Sequence, residues 1–401
     1  MAMQLFSGRD YLKIDIANSF GLDKQDWDER LAWFDQNEHQ LEALMPQADE
    51  PALYYAGLVA WEKCKAGKVS GYPISLDATA SGIQILAALS CDPKAAAICN
   101  VIDVGHRKDA YVQIYHEMVS KLGEEAKIDR KQSKQALMTH FYCSTAVPKR
   151  VFGEGELLSL FYDTIIENAP GPEEINKTML SIWDPTKLTN EWVMPDNFHV
   201  IVKVMGQVKE TVHFLNEPFE VDYHINMPIK EGRSLGANMV HSIDGMMVRE
   251  MLRRCNYDPA RIQYLHKLID AGAAGRSTHK ADDKMVQILW DRYLQSGFLS
   301  ARILDHLTID NIGLVNGFVI KRLLSSLPEK PFQVMSVHDC FRCLPNYGND
   351  LRRQYNELLA LIAESNMLAD IVGQLLGKTI QVNKIDPSLG NRIRESNYAL
   401  S

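Results

Sequence analysis

Helical periodicity runs through most of this chain, and the short strand-like patterns at 72–76 and 333–337 that interrupt it end in carboxylates. Apolar residues recur at steps of three and four over residues 26–47 (Trp27, Leu31, Phe34) and 51–66 (Leu53, Ala56, Val59), the spacing of one helix face. The same period predicts helices over 81–89, 108–122, 129–142, 236–254, 282–327 and 351–376. Short apolar runs predict strands over 72–76, ending at Asp77, and over 333–337, ending at His338 and Asp339. Two further strands, 199–204 and 220–225, read as a hairpin. The expected fold class is helix-rich α+β. No internal repeat, low-complexity stretch or long Pro/Gly/Ser linker divides the chain, so its parts are expected to interlock.

Composition narrows the function classes. With 51 acidic against 43 basic side chains the formal charge is -8, which argues against a simple basic nucleic-acid-binding module. An apolar fraction of 46% with 23% charged residues suits a packed core and excludes disorder, collagen-like repeats and a disulfide scaffold. The longest apolar stretch, 51–61, falls short of the roughly 20 residues of a spanning helix, and the first ten residues are too short and polar for a signal peptide. A cytosolic protein with no membrane partner is expected. The 7 cysteines read as reduced thiols. Only Cys340 and Cys343 have metal-ligand spacing, and without a second pair of ligands they read as two small residues on a strand.

Asp77 and Asp339 each close a short apolar strand. If those strands are neighbours in a sheet, both carboxylates meet at one edge, an arrangement suited to a pair of Mg²⁺ ions, which take one or two protein carboxylates each and complete their shells with water and phosphate. A strand-end Asp is also an ordinary turn or helix cap. In the segment 129–142, Arg130 and Lys134 stack one turn apart on a helix face, and Tyr142 follows about 12 Å further along the axis at 1.5 Å per residue. That is the span from a nucleotide's phosphates to its base. A solvated basic face with a core tyrosine has the same spacing.

Taken in order, three motifs resemble those of the single-subunit RNA polymerases of bacteriophages and mitochondria. Ser75-Leu76-Asp77-Ala78-Thr79-Ala80-Ser81-Gly82-Ile83-Gln84 is similar to the first, Arg130 through Tyr142 to the fingers motif, and Val337-His338-Asp339-Cys340-Phe341 to the third. The resemblance implies that Asp77 and Asp339, with the Ala78 backbone carbonyl, hold two Mg²⁺ ions. It further implies that Arg130 and Lys134 meet the triphosphate, with Lys134 acting in catalysis, and that Tyr142 and His241, in Val240-His241-Ser242, meet the ribose. Tyr11-Leu12-Lys13-Ile14 resembles the segment that supplies a phosphate-binding lysine, here Lys13. Tyr111 falls where the family has a tyrosine near the incoming nucleotide. Gly82 stands where related DNA polymerases carry a bulky Glu that blocks a 2′-hydroxyl. Departures are Ala78 for a Gly, Ile85 for a His, Cys143 for a Gly, and Cys340 and Arg342 for a Ser and a Gly.

The implied architecture is a polymerase right-hand palm and fingers. Residues 1–70 form a helical palm insertion, 71–100 the palm with the first Asp, and 101–240 the fingers with a specificity hairpin at 198–227. Residues 241–401 form the palm with the second Asp, a helical insertion at about 256–330 and a C-terminal foot. The N-terminal domain, the thumb and the first palm segment are expected from a second polypeptide. In that respect the chain resembles the larger, catalytic subunit of the heterodimeric RNA polymerase of enquatrovirus-type phages, working in the cytoplasm of the infected host cell. DNA template, RNA product, NTPs and an accessory promoter-opening or single-stranded-DNA-binding protein are the further partners implied. A DNA polymerase, an HD-type metal phosphohydrolase built on a helical His338-Asp339, and an inactive nucleic-acid-binding scaffold are the alternatives.

Overall fold

A computed structural model describes residues 2–123, 128–230, 232–272 and 281–401. Its centre is the helix Ser81–Ser90, in which every residue is buried. A helix apolar on all sides needs neighbours on all sides. It finds them in the helices Pro170–Ser181, Arg233–Cys255 and Gly348–Glu364. Leading into it is β1 (Ile74–Asp77), so the first candidate carboxylate sits at the entrance to the most deeply buried helix.

Among the described residues, seven strands form three small sheets: β1, β2 (Thr189–Val193), β3 (His199–Lys203), β4 (Met205–Phe214), β5 (Glu217–Asn226), β6 (Met335–Val337) and β7 (Cys340–Cys343). β1 does not pair with β6, the strand expected beside it; the order is β1-β7-β6, all antiparallel. The chain reverses at His338-Asp339 in a two-residue hairpin turn, with His338 at φ 55°, a left-handed conformation that such turns demand and that usually selects Gly or Asn. Asp77 is in register with Cys340, which brings Asp339 one residue away across the sheet. Cys340 and Cys343 are two free thiols on this strand.

The expected hairpin between 199–204 and 220–225 is instead two hairpins. β3 folds back on β2, pairing Val193 with His199, because Pro195-Asp196-Asn197 makes a tight turn with Asn197 at φ 60°. β4 and β5 then form their own ten-residue ribbon from Met205 to Asn226, closed by Leu215-Asn216, both at positive φ as in a type I′ turn. This ribbon stands away from the core, and every residue of β5 is exposed.

Several long expected helices are broken. The 26–47 pattern yields Trp27–Asn37 followed by short helical turns. The 351–376 pattern splits at Ser365-Asn366 into Gly348–Glu364 and Met367–Leu376, bent by 54°. Ser365 is extended there, its hydroxyl accepts from Met367 N (3.2 Å), and Asn366 N donates to Ser296 O (2.6 Å). The 282–327 pattern stops at Ser296, where Gly297 turns left-handed, and resumes as Gly317–Ser325. Among the described residues no single helix is long and apolar enough to cross a membrane.

Two satellite cores flank the central one. Leu12, Ile16, Phe34, Tyr54 and Trp61 join the N-terminal helices, and Leu265, Val286, Leu289, Ile303 and Ile320 form a separate core in the 256–330 segment. That segment is locked to the helix Arg233–Cys255 by charge. Glu250, wholly buried, accepts from Ala301 N (2.8 Å), from Arg253 (2.8 Å) and from the Ser300 hydroxyl. Arg253 and Arg249 both donate to Asp196 (3.0 and 2.6 Å), and Arg302 donates to the Asp196 carbonyl (2.9 Å). Burial alone would raise the Asp196 carboxyl, but the two guanidiniums outweigh it and hold it below its ordinary value. Removing one partner from a buried charge network strands the others. Glu250→Ala should therefore lose about 3–5 kcal/mol of stability, read as a shift of the urea midpoint; an unchanged midpoint would show that the segment is held by its apolar contacts alone.

Candidate active site

Residues 77–79 are fixed by backbone hydrogen bonds on both sides. Ala78 N donates to Asp339 O (3.1 Å), and Asp77 exchanges two bonds with Ser401, its N donating to Ser401 O (3.1 Å) and its O accepting from Ser401 N (2.9 Å). Thr79 N donates to Ala399 O (3.3 Å). Beneath them Gln84, wholly buried, donates to Ala399 O (2.9 Å) and Cys99 O (3.0 Å) and accepts from the Tyr355 hydroxyl (2.7 Å). The carbonyl of Ala78 accepts no hydrogen bond among the described residues.

Around this edge lies a cavity of about 530 Å³ that brings together Asp77, Ala78, Gly82, Tyr111, Lys134, Tyr142, His241 and Asp339. The helix Arg130–His140, N-capped by the Asp129 side chain, presents Lys134 to it, with Nζ 5.4 Å from the Tyr111 ring centroid. Tyr142 is not on that helix; it lies in the turn just beyond, its N bonded to Thr139 O (3.1 Å). Its ring lies 4.8 Å from that of His241, at 32°, and directly over Gly82: a Cβ there would be 3.0 Å from the Tyr142 hydroxyl.

Two residues expected at the site line neither this cavity nor the one beside it. Lys13 pairs with Asp35 (2.6 Å) and lies over the rings of Phe34 and Trp61. Its helix turns that face toward the N-terminal satellite core. Arg130 is exposed at the first position of its helix, one turn before Lys134.

Three further groups bear on the site: Cys340 and Asp15 line the adjoining cavity, and Asp244 feels the charge of Asp339. Asp244, one helical turn beyond His241, has its carboxyl raised to about 6 by burial and then by the charge of Asp339. Its i, i+3 spacing from His241 was the available signal. Cys340 is in register with Asp77, whose carboxyl is raised by burial first and by the charge of Asp339 second, with the Cys340 thiol opposing. Asp15, buried below β1, accepts from Ser75 N (2.7 Å) and the Tyr72 hydroxyl (2.7 Å), and its last-turn position in a helix gave no hint of that role.

The turn after the helix Arg130–His140 accommodates a cysteine where the resemblance led us to expect a glycine. Cys143 occupies a left-handed conformation (φ 61°), where glycine is favoured. Its thiol reaches toward Gly236 on the facing helix, where a Cβ would come within 2.1 Å of the sulfur. Gly236→Ala should thus destabilise the fold by about 1–3 kcal/mol, and Cys143→Gly should restore most of that loss in the double variant; strict additivity in denaturant unfolding would contradict the contact.

The Asp15 environment sets a pH dependence. Burial raises its folded-state carboxyl to about 6 against the hydrogen bonds from Ser75 and Tyr72. The folded chain therefore binds this proton more tightly than the unfolded one, and stability contributed below pH 4 is lost as pH rises through 6. Asp15→Asn should flatten that slope, worth up to about 3 kcal/mol, in melting temperatures taken from pH 4 to 7; an unaltered slope would assign it to other groups.

With this geometry in place, a family model described as DNA-dependent RNA polymerase matches residues 6–221, more than half of the chain. The DNA-directed RNA polymerase of Pseudomonas phage phiKMV is 23% identical over 326 residues, 64% of this chain and 39% of that protein. A probable DNA-directed RNA polymerase of Neurospora crassa is 29% identical over 189 residues, 42% of this chain and 20% of that protein. The mitochondrial DNA-directed RNA polymerase of Schizosaccharomyces pombe is 30% identical over 171 residues, 36% and 15% of the two chains. This chain thus spans well under half the length of these relatives. The family match contains Asp77, Lys134 and Tyr142, and the fold brings His241 and Asp339, from beyond its end, into the same cavity. This chain belongs to the DNA-dependent RNA polymerase family, with phage and mitochondrial relatives.

Proposed function

We propose that the chain is the catalytic polypeptide of a DNA-directed RNA polymerase, adding NTPs to an RNA 3′-hydroxyl on a DNA template and releasing pyrophosphate. The observation that carries this reading is the single cavity in which both strand-end carboxylates face Lys134 and the Tyr142–His241 pair. The sheet β1-β7-β6 is read as the palm, the helices from Ala110 to Ser181 as the fingers, and the exposed ribbon β4–β5 as the promoter-facing hairpin. A second polypeptide supplying the N-terminal domain, thumb and first palm segment, and action in the cytoplasm of an infected host, belong to the same reading.

Asp77, Asp339 and the Ala78 carbonyl fit Mg²⁺. Among the described residues no three His, Cys, Asp or Glu side chains gather as a metal cluster, so a cation here completes its shell with water and phosphate, as Mg²⁺ does and structural zinc does not. Burial raises the Asp77 carboxyl most and the charge of Asp339 adds to it, and a divalent cation would relieve that added repulsion. When bound, the Mg²⁺ pair supplies activation of the 3′-hydroxyl and charge neutralisation at the departing pyrophosphate. The chain's own groups do the rest. Lys134 meets the triphosphate charge, Tyr142 and His241 meet the ribose, and the rigid residues 77–79 keep the carboxylates in place without rearrangement.

Gly82 favours this reading over a DNA polymerase. The Tyr142 ring occupies the space above it, leaving no room for a bulky residue; on this reading its hydroxyl meets the sugar. An HD-type phosphohydrolase is disfavoured because His338-Asp339 forms a β-turn and not part of a helix. The test is extension of a primed RNA on a DNA template, with the chain alone and with a candidate second polypeptide, using ribo- and deoxynucleotides side by side. Asp339→Asn should lower the rate by about 10³-fold or more, and Tyr142→Phe should retain extension while admitting deoxynucleotides. Appreciable extension by Asp339→Asn, or a wild-type preference for deoxynucleotides with Mg²⁺, would refute the reading.

A further inference from the structure

Tyr142 stands on a turn whose fixings come from outside the nucleotide cavity. The residue two before it, His140, and the residue after it, Cys143, are both held by the helix Pro170–Ser181. His140 Nε2 lies 2.7 Å from Glu173 Oε2, and Cys143 Sγ donates to Asn176 Oδ1 (3.3 Å). Asn176 Nδ2 also donates to the His140 carbonyl (3.3 Å), which accepts from Cys143 N (2.8 Å) as well. Glu173 and Asn176 are one helical turn apart, so both face the Tyr142 turn together. Neither lines the cavity.

All four side chains of this clasp are buried. A buried carboxylate is costly without a partner. Besides His140, Glu173 has the exposed Lys177 ammonium 3.6 Å from Oε1. The His140 ring is enclosed by Phe141, Phe161 and Tyr162, with centroids 5.5, 5.8 and 5.4 Å away. Its Nδ1 has no hydrogen-bond partner among the described residues, so Glu173 is the polar group that fixes the ring. The supporting helix is itself anchored. Gly171 N donates to Asp92 Oδ2 (2.8 Å), and a Cβ on Gly171 would meet Ser90 Oγ at 2.5 Å. The central helix Ser81–Ser90 therefore bears on Tyr142 twice, through Gly82 under its ring and through the helix that holds its turn.

We infer that Glu173 and Asn176 are positioning residues for Tyr142. By holding its neighbours on both sides they fix where its ring and hydroxyl stand, and so how sharply the site tells a ribonucleotide from a deoxynucleotide. A shift of about 1 Å in a group that meets substrate is enough to cost up to about 10²-fold in rate. The inference rests on the polymerase reading for its consequence in nucleotide choice, while the hold on the turn is testable without it.

Two measurements on the full chain separate the steps. The first is hydrogen exchange at the amides of Tyr142, Cys143 and Ser144, which donate to Thr139 O (3.1 Å), His140 O (2.8 Å) and Thr139 O (3.0 Å). Glu173→Ala and Asn176→Ala should speed that exchange about tenfold, with the central helix unchanged. The second is the ratio of kcat/KM for ribo- over deoxynucleotides in RNA extension. Both alanine variants should lower it about tenfold while still extending with ribonucleotides. Glu173→Gln, whose amide oxygen still accepts from His140, should keep the wild-type ratio, and in a Tyr142→Phe background neither alanine change should lower the ratio further. Asn176→Ala strands no charge, so it carries the test where Glu173→Ala fails to fold. A turn that exchanges at the wild-type rate in both alanine variants, an unchanged ratio in a variant whose turn is loosened, an equal loss in Glu173→Gln, or a further loss in the Tyr142→Phe background would each overturn the assignment. A wild type that extends no RNA, with the turn loosened in both alanine variants, would sink the polymerase reading and leave the hold on Tyr142 standing.

Discussion

The site depends on the backbone clamp at residues 77–79. One strand-end segment is hydrogen-bonded to the β6–β7 turn on one side and to residues 399–401 on the other, so segments from three distant parts of the chain meet within three residues. Each such bond is worth only about 1 kcal/mol net, and the larger consequence is geometric. Asp77 and Asp339 cannot separate without breaking the sheet, and Gln84 and Asn100 carry the same constraint outward to Tyr355 and Lys108. Preorganisation of this kind is what charge stabilisation at a reacting phosphate requires.

Charge is distributed to serve that centre. The chain is acidic overall, yet Arg130 and Lys134 are left without carboxylate partners among the described residues, while Arg249, Arg253 and Arg394 are consumed in ion pairs. Cations bound to protein carboxylates hold the fold; cations without them are available to phosphate. Net charge alone is therefore a poor guide to whether such a chain meets nucleic acid, because affinity for phosphate follows local contacts.

Tight turns around the site are made without glycine. His338, Cys143 and Asn100 all have positive φ, each at a modest energetic cost for a non-glycine residue. They persist because packing over-determines them: Cys143 fits the space left by Gly236, Asn100 satisfies Thr79 and Lys108, and His338 closes the shortest link between β6 and β7.

The sequence by itself determined the helical periodicity, the strand-end position of Asp77, the step from Arg130 to Lys134, and the small residue Gly82, because these are local patterns with local physical causes. It also contained the Ser365-Asn366 break and the Leu215-Asn216 turn, but without Gly or Pro to announce them. Tertiary structure alone decided that β7 lies between β1 and β6, that Tyr142 covers Gly82, and that Glu250 locks the 256–330 segment in place. It also decided which lysines are free. Lys13 and Lys134 both stand within helical patterns, and what distinguishes them is the carboxylate of Asp35, which long-range packing brings to Lys13 alone.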